Sequence, residues 1–534
     1  MLNAKMRYFV FFNALLLFLK TAYAQQPFAV TIADEPITAM PGIHSFAFAQ
    51  SNGKWLFIGG RTNGLHGFLT PFAFETQYAN DQVTVVDPAA NQSWTSSATV
   101  LPDSIREPIM STNMEYYQDG NTLYMVGGYG WKSSINDFIT FPTLTAIDVN
   151  GLMNAVTTGG TISSYFRQIT DTNLTIAGAH LEKMGSTYYL VFGHRFNGYY
   201  HELDSLNDQR YSNAIRTFQV NDDGTNISIT NFQQFIDTAN YHRRDYNLVP
   251  QVFPDGQFGY TAFSGVFRYG INQPFVNSID IKPMLFNVNS SFTQNLNHYE
   301  SAVMPVYDSL NNTMHSIFFG GMGMYYIDSL TQAQTLDTLV PFVKTISRVT
   351  RSADSTMTEY VLPITMPGFY GSNALFIPKN SVSTYYNSII NLNALSGVTL
   401  VGYIIGGINS PGRNISSSAP ESSTASTRVF GVYIDMTVSV PEIKLSSDIS
   451  DFVAYPNPSS EIINLEFSVR TSGNARLELF ESSGKKIATI FNAHVNAGQK
   501  KTVKINLRDY KTAAFFCRIT KDGFSKTLKL VSRY

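Results

Sequence analysis

The sequence has little cysteine and little charge, and each shortage narrows the classes of protein that it can encode. Its 534 residues include a single cysteine, Cys517, so no disulfide can form within the chain. Stability must therefore come from a large buried core. Charged side chains make up 14% of the chain, below the typical quarter. After the first 24 residues no apolar run is long enough to cross a bilayer, so we expect no transmembrane segment in the mature chain.

Charge is distributed unevenly along the chain. Residues 25–441 carry 19 basic and 30 acidic side chains, a net charge of −11, whereas residues 442–534 carry 15 basic and 9 acidic, a net charge of +6. The negative main body argues against binding to nucleic acid or to anionic membrane surfaces. The change of sign indicates a separate C-terminal module.

The N-terminal segment has the pattern of a secretory signal peptide. Lys5 and Arg7 precede the apolar residues 8–19, and Ala22 and Ala24 form a small-residue cleavage pattern. The sequence therefore predicts a signal peptide over residues 1–24 and passage through the periplasm.

A hairpin followed by glycine organises the main body. In residues 43–94, two apolar runs flank the turn at Asn52-Gly53, and the second run ends on Gly59-Gly60. The unit recurs five times, and each copy is followed by a further β-rich run. The recurring units span residues 114–128, 177–193, 248–265, 301–321 and 373–407, and the runs that follow the six units span 83–87, 144–149, 214–220, 284–288, 342–349 and 429–435. Six copies indicate a repeat architecture.

Hairpins that end on Gly-Gly, within units of four strands, resemble kelch motifs. Gly59, Gly60, Asp87 and Trp94 match that pattern best. The resemblance implies an all-β fold with a six-bladed kelch-like β-propeller over residues 27–440. A large β-sandwich, or two of them, is the alternative, since sandwiches also have regularly spaced short strands.

The first and last units of such a ring must join, because an open ring leaves sheet edges and apolar faces exposed. The sixth unit lacks an outer strand of its own. Residues 28–33 are strand-like and have no partner nearby. We predict that they pair with residues 429–435.

Short alternating strands continue after a polar linker over residues 441–451. Runs at 462–469, 475–480, 486–491, 502–507, 514–519 and 526–531 predict a small Ig-like β-sandwich over residues 452–534. This module resembles the C-terminal sorting domain of the type IX secretion system of Bacteroidetes. The residues that carry the resemblance are Tyr455, Pro456, Asn457 and Pro458 at its start and Lys526, Leu528, Lys529, Leu530 and Val531 at its end. The resemblance implies type IX secretion machinery as a partner.

The candidate binding residues come from two kinds of segment. Long loops after the glycines, which hold aromatics such as Trp131, are expected to gather on one face, where they contact a ligand or pack the loops down. Charged residues before the inner strands form a second group: Arg243, Arg244, Asp245, His298, Tyr299, Glu300 and Arg106. These residues either recognise acidic ligands or form ion pairs between neighbouring repeats.

Catalytic and metal-binding motifs are weak. Asp245 and Glu300 suit a hydrolytic pair only if their carboxyls lie about 5 to 9 Å apart. A propeller oxidase with a cysteine–tyrosine cofactor is excluded, since residues 27–440 hold no cysteine. The sequence therefore indicates no cofactor and no metal.

Together these features predict a secreted or cell-surface binding platform for an extracellular protein or glycan. A propeller enzyme acting on carbohydrate and a structural surface-layer protein are the alternatives.

Overall fold

The computed structural model describes residues 23–25, 28–68, 72–200, 208–268, 273–327, 334–337, 339–386, 388–415, 420–438, 441–445, 449–469, 472–481, 485–510, 514–521 and 524–532. All but the last two residues of the predicted signal peptide lie outside this part.

Five antiparallel sheets of four strands, and four consecutive antiparallel strands of an eight-stranded sheet, make up most of the main body, and we number these six sets of strands as sheets 1 to 6. Sheet 1 consists of Ala47–Ser51, Lys54–Ile58, Gln82–Asp87 and Gln92–Ser97. Sheet 2 consists of Glu115–Asp119, Thr122–Val126, Thr143–Asp148 and Phe166–Thr170. Sheet 3 consists of His180–Met184, Thr187–Val191, Ala214–Asp222 and Ile227–Ile236.

The other three sheets repeat the pattern. Sheet 4 consists of Asn247–Val252, Phe258–Phe263, Ser278–Lys282 and Leu285–Asn289. Sheet 5 contains Ala302–Asp308, Thr313–Phe319, Thr345–Arg351 and Met357–Thr365. Sheet 6 consists of Ala374–Pro378, Val398–Gly406, Phe430–Asp435 and Ala29–Asp34. The first strand given for each sheet is called its inner strand.

The glycine pair of the repeat brings neighbouring sheets close together. Gly59 and Gly60 both have positive φ, 68° and 81°. A Cβ on Gly59 would lie 2.4 Å from the carbonyl oxygen of Ile109, just before sheet 2, and one on Gly60 would lie 2.3 Å from that of His44. Any larger residue would therefore strain the backbone and separate the segments.

The six sheets pack on one another in a closed order. Each of six apolar clusters joins two sheets that are consecutive in the chain, and the last cluster joins sheet 6 to sheet 1. Representative pairs in order are Leu56 with Leu123, Val126 with Leu190, Val191 with Ala262, Phe263 with Phe318, Ile317 with Ile404, and Ile405 with Phe57.

The predicted pairing of the N-terminal strand is confirmed. Ala29–Asp34 lies antiparallel to Phe430–Asp435, with Ala29 opposite Asp435 and Asp34 opposite Phe430. Phe28 and Val30 are buried in the core that sheets 5 and 6 share. The N-terminal segment thus supplies the outer strand that sheet 6 lacks.

Two sequence interpretations differ from the structure. Residues 284–288, expected as a third strand, lie mainly in the outer strand of sheet 4, and Ser278–Lys282 is the third strand. The expected linker contains the strand Pro441–Leu445, which extends sheet 5 by pairing with Met357–Thr365 and with Tyr23–Gln25. An unpaired sheet edge readily accepts such a segment. The segment after the inner strand of sheet 6 contains the short strands Thr384–Tyr385 and Ile389–Asn391, which extend sheet 5 on its other side.

Four of the long loops after the glycines fold into short hairpins. Their strand pairs are Tyr129–Lys132 with Asp137–Thr140, His194–Asn197 with Asp208–Tyr211, Tyr325–Ile327 with Gln334–Leu336, and Ile408–Asn409 with Thr424–Ala425. These hairpins follow the second strands of sheets 2, 3, 5 and 6, and we call them the hairpin face.

The described α-helices, Asp103–Ile109 and Val149–Thr158, flank sheet 2. The side chain of Asp148 caps the second helix by accepting a hydrogen bond from the Gly151 amide. Neither is long and apolar enough to cross a membrane, and the same holds for every helix in the ranges given above.

Residues 449–532 form a separate core between two sheets. One sheet contains Ile449–Tyr455, Ile462–Val469 and Lys501–Asn506. The other contains Gly473–Glu481, Lys486–Val495, Ala514–Lys521 and Phe524–Val531. The core is apolar and includes Cys517. Gln334–Leu336 of the hairpin face pairs in parallel with residues 526–528 and extends the second sheet.

Candidate functional site

Six residues with left-handed backbone conformation lie at one end of the inner strands, one per sheet. They are Ser45, Asn113, Gly178, Asp245, Glu300 and Asn373, with φ between 46° and 64°. The amides of Asn113, Gly178 and Asp245 each donate to the carbonyl oxygen of the preceding member, at 3.3, 3.0 and 3.4 Å, and Asn373 donates to Glu300 at 2.6 Å. We call these six residues the floor ring.

Side chains also link the floor ring. Asn373 donates through Nδ2 to Ser45 Oγ at 3.0 Å and to the carboxyl of Glu300. Asn113 donates to Glu300 Oε1 at 3.4 Å. Positive φ is uncommon for non-glycine residues and rarest for large ones, so these contacts hold Glu300 in a conformation that it would not adopt alone.

Asp245 and Glu300 share one proton. Burial raises the pKa of Glu300 well above its ordinary value, the charge of Asp245 raises it further, and Glu300 donates a hydrogen bond to Asp245. Burial also raises the pKa of Asp245, while Arg244, whose Nε lies 3.6 Å from Asp245 Oδ2, opposes that rise. The pair is therefore a neutral acid bound to a carboxylate.

A cavity of about 1580 Å³ begins at the floor ring and is lined by the inner strands of all six sheets. We call it the channel. Its far end reaches the turns that connect inner and second strands, where Gly120, Gly185 and Gly256 are exposed. The channel is thus bounded by the floor ring at one end and opens at the other end, beside the turns that connect the inner and second strands.

The two sides of the channel differ in polarity. Sheets 2 and 3 contribute most of the polar side chains, Glu115, Tyr116, Tyr117, Gln118, His180, Glu182 and Lys183, beside Met114, Leu181 and Met184, and sheet 4 contributes Tyr260 together with Leu248, Val249 and Pro250. Sheets 5, 6 and 1 contribute mainly apolar ones: Val303, Pro305, Leu375, Phe376, Pro378, Phe46 and Phe48. Polar groups are thus concentrated on the side of sheets 2 and 3, which we call the polar wall, and we call the side of sheets 5, 6 and 1 the apolar wall.

Glu182 lies midway along the polar wall and has a raised pKa. Burial raises its pKa to about 8, although it accepts a hydrogen bond from the Tyr260 hydroxyl. The neighbouring Lys183 forms an ion pair with Asp119, which also accepts a hydrogen bond from Tyr188 at 2.9 Å. Glu182 is therefore mainly a neutral acid at pH 7.

Arg243 is not part of a ligand-binding mouth. Its side chain is fully buried and stacks on Phe275, with 4.0 Å between the guanidinium carbon and the ring centre. It donates to the carbonyl oxygens of Asn240, Ser264 and Asn277 at 2.7, 2.8 and 3.0 Å, and to Asn277 Oδ1 at 2.8 Å. It therefore holds the loops of sheet 4 together. This role differs from both predicted alternatives, contact with a ligand and an ion pair between repeats.

Two further residues predicted to bind a ligand have surroundings that differ from the prediction. Arg106 lies in the helix before sheet 2 and pairs with Asp103 at 2.7 Å. The position expected for it, next to the inner strand, is held by Asn113. His298 is fully buried, with Nδ1 2.7 Å from the Gly320 carbonyl oxygen, and burial lowers its pKa to about 4.

The remaining predicted residues lie at the floor ring or on the hairpin face. Arg244 pairs with Asp245, and Tyr299 packs with Val266 in an apolar cluster above the floor ring. Trp131 contacts Phe138 and Tyr199 edge to face, with ring centres 5.2 and 6.1 Å apart.

Sequence reasoning missed the channel-lining acid Glu182 and four members of the floor ring, Ser45, Asn113, Gly178 and Asn373. The ring was detectable in principle: aligning the six repeats on their glycines places a small or polar residue just before each inner strand. Glu182 leaves no such signal, because it looks like a solvent-facing residue of an alternating strand.

No group of three or more His, Cys, Asp or Glu side chains in the described ranges is placed to hold a metal ion.

Comparison with known proteins identifies the C-terminal domain. Residues 453–533 match the family described as "Secretion system C-terminal sorting domain". The C-terminal domain is thus a sorting domain of the type IX system, which indicates export to the cell surface or secretion. No curated protein matches the chain.

Two solved structures are similar to the chain at low identity. One is described as "Novel fungal alcohol oxidase with catalytic diversity among the AA5 family, in complex with copper"; it is 9% identical with a TM-score of 0.37, over 96% of this chain and 100% of that chain. The other, "Structure of YjhT", is 11% identical with a TM-score of 0.42, over 76% of this chain and 99% of that chain. At these TM-scores neither likeness carries an argument.

Proposed function

We propose that this protein is an exported six-bladed kelch-type β-propeller that binds an extracellular glycan or protein. The observation that supports this most strongly is the closed packing order of six four-stranded sheets around one channel. A β-sandwich has two sheets that share one core. Here each sheet shares a core with both its neighbours, which is the packing that a propeller requires.

The sorting domain and the proposed leader sequence support an activity outside the cell. The proposed order is a signal peptide over residues 1–24, the propeller over 27–440, a connecting segment over 441–451 and the sorting domain over 452–534. The chain crosses the periplasm, and type IX machinery then carries it to the outer surface or the medium.

Binding is favoured over glycoside hydrolysis by the geometry of the acids. Hydrolytic carboxyl pairs are separated by about 5 to 9.5 Å, because the substrate, or substrate and water, lies between them. Asp245 and Glu300 are instead in direct hydrogen-bond contact. A carbohydrate-active enzyme is the second candidate, on the single ground that a proton-sharing acid pair lies at the end of a large channel.

The exported full-length protein tests this proposal on printed arrays of glycans and of peptides. We expect retention on one class, with the eluted ligand unchanged in mass. Retention with shortened ligand would favour the enzyme. Retention on neither class would contradict a binding function and favour a structural surface protein.

A further inference from the structure

We infer that the channel is the binding site and that its ligand is a neutral oligosaccharide. The ligand enters past the turns that connect the inner and second strands. This inference rests on the proposed function, since it names the ligand class and the location of that same activity.

Access to the channel is possible from one direction. At the floor ring, backbone hydrogen bonds join successive sheets, and the side chains of Asn373, Glu300 and Ser45 bridge the centre. At the other end the lining includes exposed turn residues of three sheets, Gly120, Gly185 and Gly256. A ligand therefore enters past the turns and extends towards the floor ring.

The polar wall offers hydrogen bonds without net charge. Tyr116, Tyr117 and Gln118 line it with hydroxyl and amide groups, and Glu182 adds a carboxyl that both donates and accepts when protonated. The ammonium of Lys183 is neutralised by Asp119. Sugar hydroxyls, which also donate and accept, match such a wall.

The apolar wall suits the other face of a sugar. Phe46, Phe48 and Phe376 line the opposite side, together with Val303 and Pro305. Aromatic and aliphatic surfaces pack against the C–H face of a pyranose, which is apolar, while its hydroxyls lie at the ring edge. One hydrogen-bonding wall facing one apolar wall therefore fits a saccharide better than a fully polar peptide.

Charge and size narrow the ligand further. Acidic sugars are disfavoured, because a buried ionised ligand needs a partner of opposite charge, and the Lys183 ammonium on the polar wall is already paired with Asp119. The volume of about 1580 Å³ exceeds the roughly 300–1,000 Å³ typical of small-molecule pockets. A chain of several sugars, rather than a monosaccharide, has the size to occupy it.

The test compares four variants of the exported full-length protein on an array of neutral oligosaccharides, acidic oligosaccharides and peptides. Val303→Trp fills the channel from its apolar wall, and we expect binding to be lost. Tyr117→Phe removes one hydroxyl, and we expect binding about tenfold weaker. Glu182→Leu removes a donor and an acceptor from the polar wall, and we expect binding at least about tenfold weaker. Tyr199→Ala, on the hairpin face where this residue is 43% exposed, is the matched control and should bind normally.

Each outcome decides the inference. Thermal unfolding of Val303→Trp shows that the variant is folded; if it is not, Tyr117→Phe, which removes one atom, carries the test. Neutral glycans that bind equally to the wild type, Val303→Trp and Tyr117→Phe, but not to Tyr199→Ala, would place the site on the hairpin face and overturn the inference while the binding function stands. Retention of peptides or acidic glycans alone would overturn the ligand class. Retention of nothing would contradict the proposed function itself.

Discussion

The main body and the C-terminal domain solve the same problem, burial of β-sheets, in different ways. The apolar core of the C-terminal domain lies between two sheets of one short segment, and side chains such as Glu478 and Lys521 are also buried in that domain. In the main body, each sheet depends on two neighbours, and polar side chains such as Arg243, His315 and Glu359 are buried between or beside the sheets. The C-terminal domain has a core of its own, whereas each sheet of the main body needs both of its neighbours.

This difference predicts how each part of the protein responds to deletions. A ring held by neighbour contacts fails wherever it is opened, since two apolar sheet faces are then exposed at once. The C-terminal sandwich meets the main body at the strand Gln334–Leu336, so we expect its removal to disturb the ring only at that edge. The opposite net charges, −11 for residues 25–441 and +6 for 442–534, accord with two modules that have separate partners.

Of the changes proposed here, removal of residues 449–534 should have the largest effect, because it should change the cellular location of the protein. We expect the truncated chain to accumulate in the periplasm, because the sorting domain addresses it to the type IX machinery. Its main body should unfold at nearly the same temperature as in the full chain. Cell fractionation with differential scanning fluorimetry measures both, and normal surface or medium levels of the truncated chain would contradict the assignment.

Opening the ring should cost the most stability. Deletion of residues 28–35 removes the outer strand of sheet 6, including buried Phe28 and Val30, each worth roughly 1.5–3 kcal/mol. We expect a sharp fall in the melting temperature of the main body. Thr31→Ala, an exposed position on the same strand, is the control and should change it little. A deletion that melts like the wild type would show that this strand does not close the ring.

Arg243 tests the polar interior of the main body. Arg243→Ala leaves buried carbonyl groups without donors, at about 1–3 kcal/mol each, so we expect a destabilisation of about 3–5 kcal/mol. Arg106→Ala breaks only an exposed pair within one helix and should cost less than about 1 kcal/mol. Urea denaturation measures both. Similar small values for the two would mean that the buried network contributes little.

Stability should decline as the pH rises. The pKa of Glu182 is raised from 4.5 to about 8, so the folded state binds more protons than the unfolded state between these values. Its contribution is complete below about pH 4.5 and is lost as the pH passes about 8. Glu182→Gln should flatten part of the slope of melting temperature against pH between 5 and 8, whereas Glu421→Gln, at an exposed site, should leave it unchanged. An unaltered slope in Glu182→Gln would contradict the shifted pKa.

The sequence predicted strands well and side-chain surroundings poorly. Alternation predicted 462–469 to the residue, and the repeat predicted all six glycine-ended hairpins, because period and turn chemistry are local. It also predicted the partner of residues 28–33, because only one edge was left without a strand.

The predicted surroundings of side chains were wrong where they depend on packing between segments that are distant in the sequence. Arg243 looks like a surface charge in the run 242–247, yet carbonyl groups from three loops surround it. Arg106 was misplaced because the short helix Asp103–Ile109 intervenes before the inner strand, and its seven residues show no clear period. Glu182 reads as solvent-facing because nothing local indicates that six inner strands enclose a channel.

The central claim, that the main body is a closed ring, can be tested most directly by a disulfide across its closing strands. Thr31 lies opposite Tyr433 in the antiparallel pair, at a spacing that suits a disulfide. The native Cys517 is buried in the other domain, and Thr31→Cys alone is the control. We predict that Thr31→Cys with Tyr433→Cys forms an intramolecular bond on mild oxidation and raises the melting temperature, since it closes a loop of some 400 residues. Free thiols in a folded, oxidised double variant would contradict the account.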